Sequence, residues 1–368
     1  MNLLRFGTVW SRDSFNGATA FTSMRLVFAK LTAKYPAELR ESYYIFGGRR
    51  VHMRIVGREL ADHINRPFSH LRTDAKANGK TVAAPHLAID LWDDRLAGAN
   101  RYLHWNDNGA GWHETTLESC DGRYMAQRLP NTFSCFDRKD KRIIGSIEWY
   151  DQIFIYERAK PLSRLLLNWY NDQDVQVIHT GLVARDNKGL LFAGKSGSGK
   201  STSSLACIIA GFSYLGEDYV GLEIRNDGSF VGHSLYNSVF LKTDHLERFE
   251  ELAPHAIRGR LPYEEKSVII LSQLFPERLE RAVPIRALLL PRVVNAAEAQ
   301  LRPASKRDAL LALGPTSMLQ IPNRGLGVCG FDKLAQLAER TPCFWLDVGA
   351  DVTSIPRRLE SLLAELSA

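Results

Sequence analysis

The sequence predicts an α/β protein of two domains, with a mixed α+β domain over residues 1–150 and an α/β domain over residues 151–368. The chain has 368 residues, of which 45% are hydrophobic and 24% charged, so it is long and apolar enough to build two cores. Short strand and helix patterns fill the first part. The second part contains a short apolar strand, a glycine-rich loop and a helix in that order, which is typical of α/β folds.

The first domain is predicted from local patterns. Apolar residues alternate on both sides of Gly47-Gly48, which indicates a β-hairpin over residues 43–56. Helical patterns occur at residues 23–31, 58–64 and 68–71, and strand patterns at residues 87–92, 101–105 and, rich in aromatic residues, 147–156. We expect an exposed loop at residues 73–84 and a turn at residues 106–111, where polar residues and glycines cluster.

The second domain is predicted to contain strands and helices that do not alternate strictly. Strand patterns occur at residues 175–179, 189–193, 212–215, 219–224, 287–292 and 344–348, and helical patterns at residues 162–170, 203–210 and 354–366. Because two strand patterns follow one another in several places, we expect a mixed sheet and not a simple doubly wound one.

Composition indicates a cytoplasmic protein. No apolar run approaches the roughly 18 residues that a membrane-spanning helix needs, and no sustained apolar stretch follows Arg5 as in a signal peptide. The chain has five cysteines, widely spaced and without a Cys-x-x-Cys pair, so we expect reduced thiols and no zinc site. The formal net charge of +6 suits an acidic ligand. The basic residues are scattered, and we expect neither a nucleic-acid nor a membrane partner.

A nine-residue segment carries the main functional signal, and it fits the pattern G-x-x-x-x-G-K-[ST] of a phosphate-binding P-loop. The segment consists of Gly194, Lys195, Ser196, Gly197, Ser198, Gly199, Lys200, Ser201 and Thr202. Its glycines let the backbone curl so that N–H groups point at a polyphosphate. In this motif the lysine reaches the terminal phosphates and the hydroxyl after it binds Mg²⁺. The segment therefore predicts binding of a nucleoside triphosphate with Mg²⁺.

A P-loop enzyme also needs an acidic group beside the metal, and two places offer one. Glu217-Asp218 follow the apolar strand 212–215 soon after the loop, where one carboxylate could bind Mg²⁺ and the other accept a proton from a hydroxyl. Asp347 also ends an apolar strand, but it lies far downstream and that strand reads equally well as an ordinary edge strand. The Leu-Ser-Gly-Gly-Gln signature of transporter ATPases and the Asn-Lys-x-Asp element of GTPases are missing from the sequence.

Three segments together resemble a known family. His179-Thr180-Gly181-Leu182-Val183, the P-loop and Leu215-Gly216-Glu217-Asp218-Tyr219 look like the catalytic core of the HPr kinase/phosphorylase family. The resemblance spans roughly residues 140–350 and is nearest in look to HPr-kinase-like proteins of biosynthetic clusters, including kinases that phosphorylate a serine of lasso-peptide precursors. Residues 265–267 and 289–292 resemble the same group more weakly.

This resemblance implies a P-loop kinase core related to the phosphoenolpyruvate carboxykinase-like nucleotide-binding fold, using ATP and Mg²⁺ and commonly forming a homo-oligomer. It implies that Glu217 stands in the place of the proton-accepting Asp, that Asp218 assists Ser201 in holding the metal, and that His179 is the active-site histidine. The family usually has Asp-Asp where this chain has Glu-Asp. That departure leaves open whether Glu217 or Asp218 is the base, and phosphorylase activity is not implied.

Further basic residues are candidates for phosphate contacts. Arg258, Arg260 and Lys266 lie in one loop that could close over the γ-phosphate, although an ordinary solvated loop would look the same. Arg292 ends an apolar strand and could cap a phosphate. Without the family resemblance, a histidine of the domain core would be the favoured reading of His179, and the resemblance reverses that preference.

The sequence thus predicts a kinase that transfers the γ-phosphoryl group of ATP to a hydroxyl, most simply a serine of a small protein or precursor peptide. A small-molecule kinase acting on a sugar, a cyclitol or free serine is the first alternative. A nucleotide-binding regulatory protein with little turnover is the second. The domain at residues 1–150 is a candidate for recognising the acceptor, because it is large and separate.

Overall fold

The computed structural model describes residues 15–74, 84–100, 115–242, 246, 249–259, 266–319 and 326–366. The chain divides into two compact units. The first comprises Met1–Arg66 with Arg72–Leu166, and the second comprises Pro67–Leu71 with Leu167–Ala368. The sequence placed the boundary at residue 150, whereas the segment up to Leu166 groups with the first unit, and the short stretch Pro67–Leu71 groups with the second.

The first unit contains one eight-stranded sheet, in the order β3-β1-β2-β4-β8-β7-β6-β5. Its strands are β1 Leu39–Phe46, β2 Arg49–Val56, β3 Arg72–Thr73, β4 Leu87–Asp93, β5 Thr115–Glu118, β6 Tyr124–Leu129, β7 Thr132–Asp137 and β8 Arg142–Ile147. Its helices are α1 Gly17–Lys34, α2 Arg58–Asn65 and α3 Ile155–Ala159, and α4 Ser163–Asn171 leads into the second unit. The predicted hairpin is confirmed as the antiparallel pair β1–β2.

Helix α1 begins where the side chain of Asn16 accepts a hydrogen bond of 3.0 Å from the backbone N–H of Thr19, which satisfies a donor that the helix leaves unpaired. Its buried residues recur every three or four positions, so they form one apolar face: Ala20, Phe21, Met24, Phe28 and Leu31. This face packs in a core with Trp92 of β4 and Phe133 of β7.

The second unit contains a nine-stranded mixed sheet and a separate three-stranded sheet with the order β15-β17-β16. Its strands are β9 Gln176–Ile178, β10 Thr180–Arg185, β11 Lys188–Ala193, β12 Ser213–Gly216, β13 Val220–Ile224, β14 Phe230–Ser234, β15 Ser238–Lys242, β16 Ile257–Arg258, β17 Lys266–Ile270, β18 Ala282–Val293, β19 Gln300–Pro303 and β20 Cys343–Val348. Its further helices are α5 Lys200–Ile209, α6 Lys306–Leu319, α7 Leu326–Arg340 and α8 Ser354–Glu365.

The strand directions in the nine-stranded sheet bring five chain segments to one edge. β11, β18 and β20 are parallel neighbours, so their carboxyl ends lie at the same edge. β10 is antiparallel to both β11 and β12, so its first residue and the last residue of β12 lie there as well. The prediction of a mixed sheet is confirmed, and this edge carries the P-loop.

One local prediction was wrong, and one alternative that the sequence left open is excluded. Residues 147–156 do not form a strand: β8 ends at Ile147, the backbone of Trp149 takes φ +53°, and α3 begins at Ile155. A positive φ at a bulky residue is incompatible with an extended strand, so the aromatic content was misleading. β20 is not an edge strand either, because it pairs with both β18 and β19.

The predicted strand at 101–105 and turn at 106–111 lie outside the described residues, as does most of the predicted loop at 73–84. Residues 68–71 fall within the short 3-10 helix Arg66–Leu71. Within the described parts of the chain, no helix is long and apolar enough to cross a membrane.

Candidate functional site

The P-loop joins the end of β11 to the start of α5, as the order of strand, loop and helix predicts. Gly199 precedes the helix with φ +110°, a backbone conformation that a residue with a Cβ rarely adopts. A Cβ at this position would also lie 3.4 Å from Val348 Cγ2, so the loop rests closely on the carboxyl end of β20. The result is a helix N-terminus whose N–H groups are available to an anion.

Lys200 is folded back into its own loop. Its Nζ donates hydrogen bonds to the carbonyl oxygens of Gly194, at 2.7 Å, and Lys195, at 3.2 Å. The side-chain hydroxyl of Ser198 is buried in the same loop and has no hydrogen-bond partner within the described residues. A buried ammonium and an unpaired hydroxyl inside a ring of backbone groups are the features that a bound polyphosphate would satisfy. The residues present therefore fit a nucleotide.

Glu217 contacts the P-loop directly. The hydroxyl of Ser201 donates a hydrogen bond to Glu217 Oε1, and the backbone N–H of Phe240 on β15 donates one of 3.0 Å to Oε2. The side chain is almost wholly buried, with 3% of the residue exposed. A hydroxyl and a carboxylate in contact supply the oxygen ligands that Mg²⁺ prefers. Ser201 and Glu217 therefore fit a magnesium site beside the loop.

Asp218 faces a different partner. Its Oδ1 lies 3.3 Å from Nε2 of His179, and its side chain remains 22% exposed. Asp218 has φ +64°, and the N–H of Tyr219 donates a 2.8 Å hydrogen bond to the carbonyl of Glu217 across it. This is a tight three-residue turn of the strained type, and it directs two adjacent carboxylates to different partners.

His179 is fixed from the opposite side. It lies between β9 and β10, and its backbone N–H donates a 3.0 Å hydrogen bond to the hydroxyl of Ser317 on α6. Its Nδ1 is buried and has no hydrogen-bond partner within the described residues. The histidine thus presents one ring nitrogen to Asp218 and holds the other inside the unit.

Tyr214 lies next to the two carboxylates in the fold. Burial raises the pKa of its phenol well above the usual value, and the negative charges of Glu217 and Asp218 raise it further. The phenol therefore stays neutral and donates a 3.0 Å hydrogen bond to the carbonyl oxygen of Ser238 on β15. This bond ties β12, which carries the acidic pair, to the three-stranded sheet that supplies the N–H of Phe240.

The alternative acidic residue, Asp347, is occupied by two arginines. Arg292 lies opposite it in the β18–β20 register and donates to Oδ1, while Nη2 of Arg302 lies 2.7 Å from Oδ2. The guanidinium of Arg292 also stacks on the ring of Trp345, 5.0 Å from its centroid. In the structure, Ser201 therefore contacts Glu217, whereas Asp347 forms an ion pair with Arg292.

Of the remaining predicted cations, the structure describes Arg258 and Lys266. Arg258 is exposed on β16, and Arg260 lies outside the described residues. Nζ of Lys266 lies 5.7 Å from the ring centroid of Phe240, the residue whose N–H holds Glu217. Sequence reasoning missed the contributions of Phe240 and Ser317. They act through a backbone N–H and a hydroxyl from distant segments, which leave no local signal.

Comparisons with known proteins give structural likenesses but no match by sequence. No family model matches the chain, and no curated protein matches it. Among solved structures, the HPr(Ser) kinase/phosphatase from Coxiella burnetii is similar with a TM-score of 0.30 and 14% sequence identity, covering 52% of this chain and 99% of that one.

Proposed function

We propose that the chain is an ATP-dependent kinase that transfers the γ-phosphoryl group to a hydroxyl, on a P-loop core in the second unit. The observation that carries this proposal is that two adjacent carboxylates at one edge of the sheet contact different partners. Glu217 contacts the P-loop hydroxyl of Ser201, while Asp218 contacts His179 and keeps part of its surface exposed. Phosphoryl transfer to a hydroxyl needs both a metal-binding acid and a proton acceptor beside the nucleotide.

The P-loop would hold the nucleotide. The backbone N–H groups from Gly194 to Thr202 and the ammonium of Lys200 would bind its phosphates. Ser201 and Glu217 would hold Mg²⁺, which neutralises charge on the phosphates when bound. This exchanges the two roles that the family resemblance implied, because Glu217 accepts a hydrogen bond from the motif hydroxyl and Asp218 does not occupy that position. The extra methylene of Glu gives it the reach to Ser201.

Asp218 would accept the proton of the acceptor hydroxyl. Its partly exposed carboxylate is accessible to an acceptor, whereas that of Glu217 is buried with both oxygens engaged. His179 would act as the positioning residue, since its Nε2, 3.3 Å from Oδ1, holds the carboxylate in one orientation. Lys200 would stabilise the charge that develops on the transferred group.

A serine of a small protein or precursor peptide is the acceptor we propose, supported by the resemblance of the three motif segments. The relation to the phosphoenolpyruvate carboxykinase-like fold, recognition of the acceptor by the first unit and a homo-oligomeric state belong to the same proposal.

The test uses the full chain with γ-labelled ATP, Mg²⁺ and a pool of serine-containing peptides, with transfer read by mass spectrometry and nucleotide affinity measured separately. Lys200→Ala is expected to lose both transfer and affinity. Asp218→Asn is expected to lower transfer by roughly 10²–10⁴-fold with nucleotide affinity unchanged, the usual range for removing a general base. Glu217→Gln is expected to weaken the Mg²⁺-dependent part of the affinity.

The opposite pattern would assign the role of base to Glu217. In that case Asp218→Asn would transfer phosphate as well as the unaltered chain, and Glu217→Gln would lose transfer without losing nucleotide affinity. Tight nucleotide binding with neither transfer nor hydrolysis in the unaltered chain would refute the kinase proposal and favour a regulatory protein. Transfer to a sugar or free serine, but to no peptide, would keep the kinase and overturn the acceptor.

A further inference from the structure

The first unit contains a cleft of about 440 Å³ between α1 and its sheet. This volume lies within the range of small-molecule sites in proteins. The cleft lies entirely among residues 25–144, so it is a feature of the first unit alone and independent of the P-loop.

The sequence places charged and small residues on the two walls. Arg25, Ala29 and Thr32 of α1 line one wall, and their spacing of four and then three positions puts them on the same helix face. On the other wall, three parallel strands place Arg54, Asp90 and Ile144 in one row, because Arg54 is the register partner of Asp90, and Asp90 that of Ile144.

The strand wall is built around one buried acid. Asp90 is 2% exposed and accepts hydrogen bonds from Nε of Arg54, at 2.7 Å, and from Nη1 of Arg142. Each guanidinium carries five N–H donors, and within the described residues the hydrogen bonds of these two go to Asp90 through one nitrogen each. The remaining donors are held in fixed directions by the shared carboxylate, which is the arrangement that binds carboxylates and phosphates.

The charge of the cleft is positive. Arg25, Arg54 and Arg142 oppose the single carboxylate of Asp90 among the lining residues. Glu41 stands beside Arg54 in the register of β1 and β2, but it is 44% exposed and pairs with His52 at 3.2 Å. An exposed carboxylate of this kind offsets little of the charge inside a cleft.

The rest of the lining is apolar. The ring of Phe28 lies under the guanidinium of Arg54, with 5.0 Å between the ring centroid and Cζ, and Ile144 lies beside Asp90. The small side chains of Ala29 and Ala33 leave the opening of the cleft unfilled. We propose that this cleft binds a small organic anion, with its carboxylate or phosphate on Arg54 and Arg142 and its apolar body against Phe28, Ala29 and Ala33.

The test titrates the full chain calorimetrically with phenylacetate, phenyl phosphate and inorganic phosphate. We expect an organic anion to bind with a dissociation constant below about 1 mM. Ala29→Leu narrows the cleft at an exposed helix position and is expected to weaken binding at least ~10-fold, about 1.4 kcal/mol. Ala18→Leu, the same change at an exposed position of α1 outside the cleft, is expected to leave it unchanged. Arg142→Gln is expected to weaken binding similarly.

The two organic probes differ in their head group, which is a carboxylate in phenylacetate and a phosphate in phenyl phosphate. The probe that binds more tightly shows which head group the cleft prefers. Failure of both to bind at about 10 mM would overturn the proposal. So would binding that neither Ala29→Leu nor Arg142→Gln weakens, which would assign the anion to the P-loop or another surface. Because Ala29 is exposed on the helix, its variant keeps the test valid if Arg142→Gln does not fold.

Discussion

His70 makes the stability of the second unit sensitive to acid. It lies in the stretch Pro67–Leu71, where its Nε2 is 2.6 Å from the hydroxyl of Ser234 and its Nδ1 is 3.2 Å from the side-chain amide of Asn237. Burial lowers the pKa of His70 from 6.5 to about 3, and the nearby charge of Arg281 lowers it further. The folded unit therefore holds a neutral imidazole under conditions in which an unfolded histidine is charged.

The sign and size of the effect follow from these two pKa values. As the pH falls below 6.5, His70 binds a proton in the unfolded chain but not in the folded one. The free energy of unfolding therefore decreases until the pH reaches about 3. The stabilisation is complete above pH 6.5 and disappears toward pH 3, and it amounts in full to roughly 5 kcal/mol. Between about pH 7.5 and pH 5 the expected loss is about 2 kcal/mol.

The assay is urea unfolding at about pH 7.5 and pH 5 for the unaltered chain, for His70→Asn and for His255→Asn, which changes an exposed histidine. Asn keeps hydrogen-bonding capacity but does not titrate. Between these two pH values, the free energy of unfolding is expected to fall by about 2 kcal/mol more in the unaltered chain and in the His255→Asn control than in His70→Asn. Other groups, including buried His63, are present in all three chains and cancel in the comparison.

Equal losses in all three chains would refute the reasoning, because His70 would then bind a proton equally in the folded and unfolded states. A two-unit chain can unfold in two steps, so the comparison uses the transition of the second unit. A ring titration of His70 by NMR in the unaltered chain checks the same point without a variant. A midpoint near 6.5 there would also contradict the prediction.

Two further predictions concern the sheet edge. Gly199→Ala places a Cβ on a residue with φ +110°, 3.4 Å from Val348, so we expect a loss of roughly 1–3 kcal/mol in stability and weaker nucleotide binding. Thermal unfolding with and without ATP measures both effects. An ATP-dependent stabilisation equal to that of the unaltered chain would contradict the prediction. Asp347→Asn removes the charge shared by Arg292 and Arg302, which are 43% and 50% exposed, so we expect only about 1 kcal/mol of destabilisation and unchanged Mg²⁺-dependent affinity. A large fall in that affinity would instead make Asp347 the metal ligand.

Local patterns predicted some strands and helices of the described chain, among them β1, β2, β11 and α5, and missed others, among them β6, β7, β14 and α6. The strand before the P-loop is short and apolar from Gly189 onward, and the helix after it begins at the motif lysine, so adjacent residues carry all the information needed. The strand prediction for residues 147–156 was wrong because aromatic residues favour a strand only where the backbone is extended. The backbone of Trp149 is not extended. The sequence left open whether β20 is an edge strand, because nothing in its own residues shows that β19 pairs with it.

The sequence by itself determined that this chain carries a P-loop, an adjacent pair of carboxylates and a histidine before them, because each is a contiguous motif. Only the tertiary structure decided how these groups pair. Ser201 meets Glu217, His179 meets Asp218, and Asp347 meets two arginines. The physical reason is that each pairing depends on strand order and on one strained turn at Asp218, with φ +64°, which directs neighbouring carboxylates to different partners.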